Sequence, residues 1–173
     1  MKENDFLKGL KDGIPICAGY VAVAFAFGIF SVESGLSVIE ALLISMTNVT
    51  SAGQLAAVPI IAGGGTLIEL AVTELVINLR YSLMSVSLSQ KVDKSVKTVD
   101  RFLISFVNTD EVFAVSASKE GKVSKRYLYG LILTPYLGWS AGTLCGAVAG
   151  NILPAVVISS LGVAIYGMFI AIV

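Results

Sequence analysis

The chain reads as a succession of long apolar runs separated by short polar or glycine-rich turns. Runs of spanning length, about 17 to 25 residues each, can be marked at Ile14 to Phe30, Leu36 to Ile61, Leu67 to Leu88, Phe102 to Ser118, Tyr127 to Gly150 and Pro154 to Val173. Within them hydrophobic residues continue without the period-two alternation of a membrane β-barrel strand. Backbone groups in lipid must bond within the spanning structure, so unbroken apolar runs of this length predict helices. The expectation is an all-α, polytopic integral membrane protein with about six hydrophobic segments, residues 1–173 forming a single transmembrane domain. The first run follows a short charged stretch, as a signal peptide would, but five more runs come after it and it is read as an uncleaved helix. The sequence stops at "GVAIYGMFIAIV" with no polar tail, and the chain is expected to be shortened relative to a longer parent.

Two runs are interrupted near their middles. The second contains "NVTSAGQ", Asn48 to Gln54, and the fourth contains "NTDE", Asn108 to Glu111. Asn, Thr, Ser, Asp and Gly suit caps and turns better than helix interiors. The interruptions also resemble each other, with "ISMTN" at Ile44 to Asn48 and "ISFVN" at Ile104 to Asn108, sixty positions apart. This suggests an internal repeat of a broken segment and a helix, and discontinuous helices meeting at mid-membrane are a common transporter plan. Two readings are open: intact helices with polar dimples, or broken, re-entrant pairs of half-helices.

Charge in the loops bears on that choice. Eleven of the twelve Lys and Arg residues flank the runs: Lys2, Lys8 and Lys11 first, then Lys91, Lys94, Lys97 and Arg101, then Lys119, Lys122, Lys125 and Arg126. If every segment crosses fully with the N-terminus inside, seven face the cytoplasm and four the opposite side. If the second and fourth segments enter and return on one side, all eleven lie inside, as the positive-inside rule favours.

Composition supports the membrane class. Residues are 55% hydrophobic and only 14% charged, with a mean hydropathy of +0.85, whereas soluble domains carry about 25% charged residues. Lys and Arg balance Asp and Glu at twelve each, so net charge points to no nucleic-acid partner. There is no histidine, which removes imidazole metal ligands and imidazole bases. Cys17 and Cys145 lie in apolar runs without ligand spacing and read as small core hydrophobes. No cofactor is called for.

Ionisable residues inside the membrane are costly and normally face a protein interior or an aqueous cavity. The third run holds Glu69, Glu74, Asn78 and Arg80. At 100° per residue, Glu69, Thr73 and Arg80 share one face, while Glu74, Asn78, Tyr81 and Ser85 share nearly the opposite one. Such a helix is expected to have little lipid-facing surface and to lie buried among others. Glu69 and Arg80 are roughly 16 Å apart along the axis, so Arg80 needs a partner on another segment or a ligand. Counted from segment middles, Asn78, Asp110 and Trp139 fall at the midplane, Asn48 is close to it, and Arg80, Glu74 and Gln54 lie within roughly 7 Å. Glu69 is near the interface. A midplane site of this kind suits a zwitterion: Arg80, or amides at a half-helix N-terminus in "TSAGQ", for a carboxylate, and Asp110 or Glu111 for an ammonium. Asp110, Glu111 and Glu74 are the candidates for exchanging a proton during transport. The alternative is an Arg80 to Asp110 ion pair that only locks helices together. Gly138, Gly142, Gly146 and Gly150 recur every four residues, the spacing that lets two helices approach closely.

The chain resembles the AzlC-like large subunit of branched-chain amino-acid exporters over essentially its full length. The resemblance rests on "GIPICAGYVAVAFAFGIF" followed by "SGLSVIEALLIS", then "SAGQLAA", "INLRYSLMS", "NTDEVFAV" and "YLGWSAGTLCGAVAG", in the family's order and spacing. It implies a multispanning permease of the cytoplasmic membrane that exports branched-chain and related amino acids, working with a small hydrophobic AzlD-like second subunit. Carried over by position, the family's polar landmarks fall on Gln54, Asn78, Arg80, Asp110, Glu111 and Trp139, the substrate-binding candidates. There are departures: "NVTS" replaces the family's usual glycine and aromatic before the Gln motif, and Tyr81 stands where histidine is common.

Other function classes fare worse. An intramembrane aspartyl protease needs two facing Asp residues and only Asp110 lies in a run, while metalloproteases and rhomboid-type serine proteases need the missing histidine. The remaining alternative is a non-transporting scaffold or channel subunit in which the charges serve assembly alone.

Overall fold

The computed structural model describes residues 4–150 and Ile152, and among them the only regular elements are helices. Seven occur in order: α1 (Asp5–Glu33), α2 (Val38–Thr47), α3 (Ser51–Ala62), α4 (Leu67–Lys91), α5 (Thr98–Phe106), α6 (Asp110–Ser118) and α7 (Lys125–Gly150). The expected sixth run, Pro154 to Val173, lies outside the described residues. By length and composition, α1 and α7 are apolar enough to cross a membrane. Among the described residues these are the two clear spanning candidates: α4 is long but carries Glu69, Glu74 and Arg80, and the hydrophobic segments at 36–61 and 102–118 are each two short helices, the broken form of the two readings.

The breaks fall at the two polar interruptions. Asn48 leaves helical geometry (φ −130°, ψ 88°) and Thr50 is extended (φ −140°, ψ 119°) before α3 begins. Val107 (φ −117°, ψ 23°) and Thr109 (φ −76°, ψ 171°) interrupt the second pair in the same way. A β-branched residue takes up this extended conformation readily, and in each case a threonine precedes the restarted helix.

Hydrogen bonds then fix which ends lie together. The segment after α4 and the one after α6 form a short parallel bridge at Val92 and Val123, with Asp93 N–H donating to Val123 O and Val123 N–H to Lys91 O, both at 3.0 Å. Ser124 donates to Asp5 at 2.7 Å, and Lys119 pairs with Asp12 at 2.7 Å. Asp100 accepts from Tyr129 at 2.8 Å and pairs with Lys125 at 2.7 Å. The start of α1, the end of α4, both outer ends of the α5–α6 pair and the start of α7 thus share one end of the molecule, which also gathers both basic loops. Twenty-five residues of α4 extend about 37 Å, so its start lies at the other end. There the Gly63–Thr66 turn receives α3, and α2 begins after the turn that closes α1, held by the Ser37 and Glu40 capping box. Each broken pair therefore leaves and returns at one end, and the two pairs come from opposite ends. The units α1–α2–α3 and α4–α5–α6 have the same order in inverted orientation.

The long helices α1 and α7 run parallel in direct contact, in the register set by the glycine ladder. A Cβ on Gly142 would lie 2.7 Å from the Val21 carbonyl, and one on Gly28 would lie 2.5 Å from the Ala147 amide. Backbones this close exclude any larger residue at those positions. Cys17 sits against Gly138, whereas Cys145 is on an exposed face of α7, contrary to its reading as a core residue.

Helix α4 has inverted amphipathicity. Thr73, Glu74, Asn78, Tyr81 and Ser85 lie on its half-buried inner stripe, while Leu67, Ile68, Leu75, Val76, Leu79 and Leu83 are exposed on the outer one. This corrects the expectation of a helix buried among others. A polar inner face and an apolar outer face suit apolar surroundings, since outward leucines lose nothing against hydrocarbon while the polar groups find partners inside.

Candidate functional site

Both helix breaks meet at one cavity of about 280 Å³. Tyr20 from α1, Val49, Ser51 and Ala52 from the first break, and Ile77, Arg80 and Tyr81 from α4 form part of its wall. Thr109, Asp110 and Glu111 from the second break and Trp139 from α7 complete it. The first turns of α3 and α6 both open on this space, and a helix start presents unpaired N–H groups and the positive end of its dipole.

Charge concentrates on one side. Arg80 pairs with Asp110 at 2.8 Å and donates to the Tyr81 hydroxyl at 3.2 Å, with its guanidinium 5.0 Å from the Tyr81 ring centre. The side chains of Arg80 and Asp110 are 48% and 45% exposed, so the pair opens on the cavity. Glu111 accepts the Tyr20 hydroxyl at 2.5 Å, and the Tyr20 ring meets Trp139 edge-on with centres 5.0 Å apart. Asp110 and Glu111 sit in the first turn of α6, where the helix dipole favours negative charge.

The other side is neutral. Gln54 is fully buried; its carbonyl accepts from Trp139 Nε1 at 2.8 Å and its amide donates to Ser45 at 2.8 Å. Ser45 in turn shares a 2.6 Å hydrogen bond with Thr143. The chain Thr143, Ser45, Gln54, Trp139 fixes the indole that faces the cavity.

Of the residues singled out in the sequence, Arg80, Asp110, Glu111 and Trp139 come together on the cavity wall. Gln54 and Asn78 do not: Gln54 lies behind Trp139, and Asn78 donates to Glu74 at 2.6 Å on the α3-facing side of α4. Glu69 is exposed in the first turn of α4, with its N–H capped by Thr66 at 3.1 Å. Tyr20, Ser51 and Thr109, which also line the cavity, were missed as site residues, although a tyrosine at the centre of an apolar run was a signal for the first.

A family model described as AzlC protein matches residues 15–153. The chain is 30% identical over 150 residues to the inner membrane protein YgaZ of Escherichia coli K12, covering 84% of this chain and 61% of that one. It is 34% identical over 152 residues to an uncharacterized membrane protein of Archaeoglobus fulgidus, covering 88% and 66%. A Helicobacter pylori membrane protein is 28% identical over 156 residues, covering 86% and 67%. The chain thus spans less than two thirds of the first two relatives. No solved structure matches.

Proposed function

The chain belongs to the AzlC protein family of membrane proteins, and from that premise we propose that it is a transporter subunit that exports branched-chain and related amino acids across the cytoplasmic membrane. The observation that carries this reading is the cavity at the junction of both helix breaks, which combines an Arg80 to Asp110 pair with apolar and aromatic walls. Its volume of about 280 Å³ falls just below the roughly 300–1,000 Å³ of sites for drug-sized ligands, which suits a small zwitterion. In this reading Arg80 and the first-turn amides of α3 receive the carboxylate, Asp110 or Glu111 receives the ammonium, and Val49, Ile77 and Trp139 face the aliphatic side chain. Exchange of the Arg80 to Asp110 bond for bonds to the ligand lets substrate compete with the internal pair.

Alternating access follows from the inverted units: the two broken pairs enter from opposite ends, so movement of one against the other opens the midplane site to each side in turn. Gln54 and Asn78 support the site from behind. The outer apolar stripe of α4 faces lipid or the small AzlD-like second subunit that the resemblance implies. The test is leucine flux in proteoliposomes holding the protein with that subunit. Arg80→Gln and Asp110→Asn variants that assemble normally but carry no flux support transport; variants that fail to assemble, beside a wild type without flux, support the scaffold alternative instead.

A further inference from the structure

Between α4 and α5 a cleft leads from the basic end of the molecule towards the central cavity. Its wider part, about 440 Å³, is lined by Tyr81, Ser82 and Ser85 of α4 and by Thr98, Arg101 and Ser105 of α5. A second part of about 240 Å³ shares Ser85, Arg101 and Ser105 and continues to Ser89 near the end of α4. Tyr81 also lines the central cavity, so the two spaces meet at this side chain. On the same border Asn108, next to Thr109 of the cavity wall, donates to Ser85 at 3.4 Å. Ser82, Ser85 and Ser89 recur at the spacing of one helix face, as do Thr98, Arg101 and Ser105. Ser89 stands about 12 Å from Tyr81 along the axis of α4.

The polar groups of the cleft are uncommitted. Ser31, Ser34 and Ser140 donate to carbonyl oxygens one turn back in the chain, the usual way a serine is satisfied in an apolar layer. Among the described residues, Ser82, Ser85 and Ser105 make no such bond, and their O–H groups are free to donate into the cleft. Arg101 differs from its basic neighbours in the same way. Lys119 pairs with Asp12 and Lys125 with Asp100, whereas the Arg101 guanidinium has no carboxylate partner among the described residues. The same helix α4 turns Leu75, Leu79 and Leu83 outward. Leucines on one side of a helix and serines on the next distinguish a surface set against hydrocarbon from one set against water or a polar guest.

We propose that this cleft is the route by which the amino acid reaches the central cavity from the basic end, with Arg101 as an outer site for its carboxylate, an inference that rests on the transporter reading and names how its site is filled. A guanidinium matches a carboxylate with two parallel hydrogen bonds, and the hydroxyls of Ser85 and Ser105 beside it replace part of the water that the zwitterion sheds. Val86 and Phe102 give the aliphatic side chain an apolar wall. The basic end is the cytoplasmic one by the positive-inside rule, and so the loading side of an exporter. Two arginines then act in succession, Arg101 at the mouth and Arg80 in the cavity, with Tyr81 between them. Because the Tyr81 hydroxyl accepts from Arg80 at 3.2 Å, a carboxylate arriving at Arg80 takes over the donor that holds Tyr81 in place.

Two readouts in proteoliposomes holding the protein with its second subunit test this. With Cys17 and Cys145 replaced, Ser82→Cys, Ser85→Cys and Ser105→Cys, all near-isosteric changes, react with a charged, impermeant thiol reagent from the side on which Lys94→Cys reacts, and leucine slows the reaction. Arg101→Gln lowers leucine flux at subsaturating concentration by about 10-fold while equilibrium binding of radiolabelled leucine is unchanged, and Arg101→Lys, which keeps the charge, keeps most of the flux. Asp110→Asn, in the central cavity, lowers flux and binding together. Serine-to-cysteine variants that stay unreactive while Lys94→Cys reacts show that lipid or the second subunit fills the cleft, and overturn the proposal. Full flux in Arg101→Gln, or a loss of binding that matches its loss of flux, overturns the outer site. Wild-type vesicles that move no leucine overturn the transporter reading and this inference with it, whereas full wild-type flux beside an unreactive cleft overturns this inference alone.

Discussion

The two broken pairs use one backbone device for opposite ends. Both interrupt an apolar run at an Asn followed by a Thr, and both restart a helix at the cavity. At the α2–α3 break, Ser45, Gln54, Trp139 and Thr143 bond to one another in full burial. At the α5–α6 break, Asp110 and Glu111 are held by Arg80 and Tyr20, groups that also line the cavity. A broken helix exposes unpaired backbone and places polar side chains deep in an apolar layer. What those side chains meet decides whether a group of them acts as a strut or as part of the site. Neutral groups with every partner close by are stable and unresponsive, whereas a half-exposed ion pair can change partners.

The largest effect expected is all-or-none and tests whether the pairs enter from opposite sides. With Cys17 and Cys145 replaced, Lys94→Cys and Lys122→Cys react with an impermeant thiol reagent from the same side of the membrane, and Ala62→Cys from the other. Labelling of Lys94→Cys and Lys122→Cys from opposite sides breaks the comparison, because α5 and α6 would then form one crossing.

Next comes the contrast in chemistry. Asp110→Asn lowers leucine flux at subsaturating concentration by about 10- to 100-fold, the equivalent of a charge-assisted hydrogen bond worth roughly 1.5–3 kcal/mol, with little change in thermal stability. Gln54→Leu does the reverse. It leaves Trp139 Nε1 and Ser45 without their partner, costs about 1–3 kcal/mol and lowers the melting temperature in detergent, while flux per folded molecule falls less than in Asp110→Asn. Equal effects of the two variants on stability and flux would erase the distinction between strut and site.

The smallest effect concerns the outer end of the charged pair. The Lys125 ammonium, the Lys97 N–H and the Tyr129 hydroxyl hold the Asp100 carboxyl at about 2, below its ordinary value of 3.8. Because the folded value is depressed, this stabilisation is present above the ordinary carboxylate value and is lost as pH falls from about 4 to about 2. Thermal unfolding in detergent between pH 5 and pH 2.5 shows the decline, and Asp100→Asn flattens that part of the profile.

Much of this was legible in one dimension. The all-helical class, the places of both breaks and the glycine ladder follow from local rules: apolar runs of spanning length, poor helix-interior residues at Asn48 and Asn108, and small residues every four positions. Arg80, Asp110, Glu111 and Trp139 stand out because polar groups are scarce and expensive in such runs. The positive-inside count left two readings of the segments, one of which gathered every basic loop on one side. The bonds joining Val92, Val123 and Asp5 to their neighbours place those loops at one end.

Other features depended on how the helices sit against one another. Depth along a helix gives Gln54, Asn78 and Arg80 nearly equal claims on a central site, because depth carries no azimuth relative to neighbours that distant parts of the chain supply. Packing turned Gln54 towards Trp139, Asn78 towards Glu74 and Arg80 towards Asp110. The composition of α4 likewise suggested a buried helix until its neighbours took only one of its faces. The sequence by itself determined which of the described segments are helical, where a break in them would fall and which residues are too polar for lipid. Tertiary structure alone decided which of those polar residues satisfy one another and which remain turned to a shared cavity, since hydrogen bonding between elements is set by three-dimensional register and not by position along the chain.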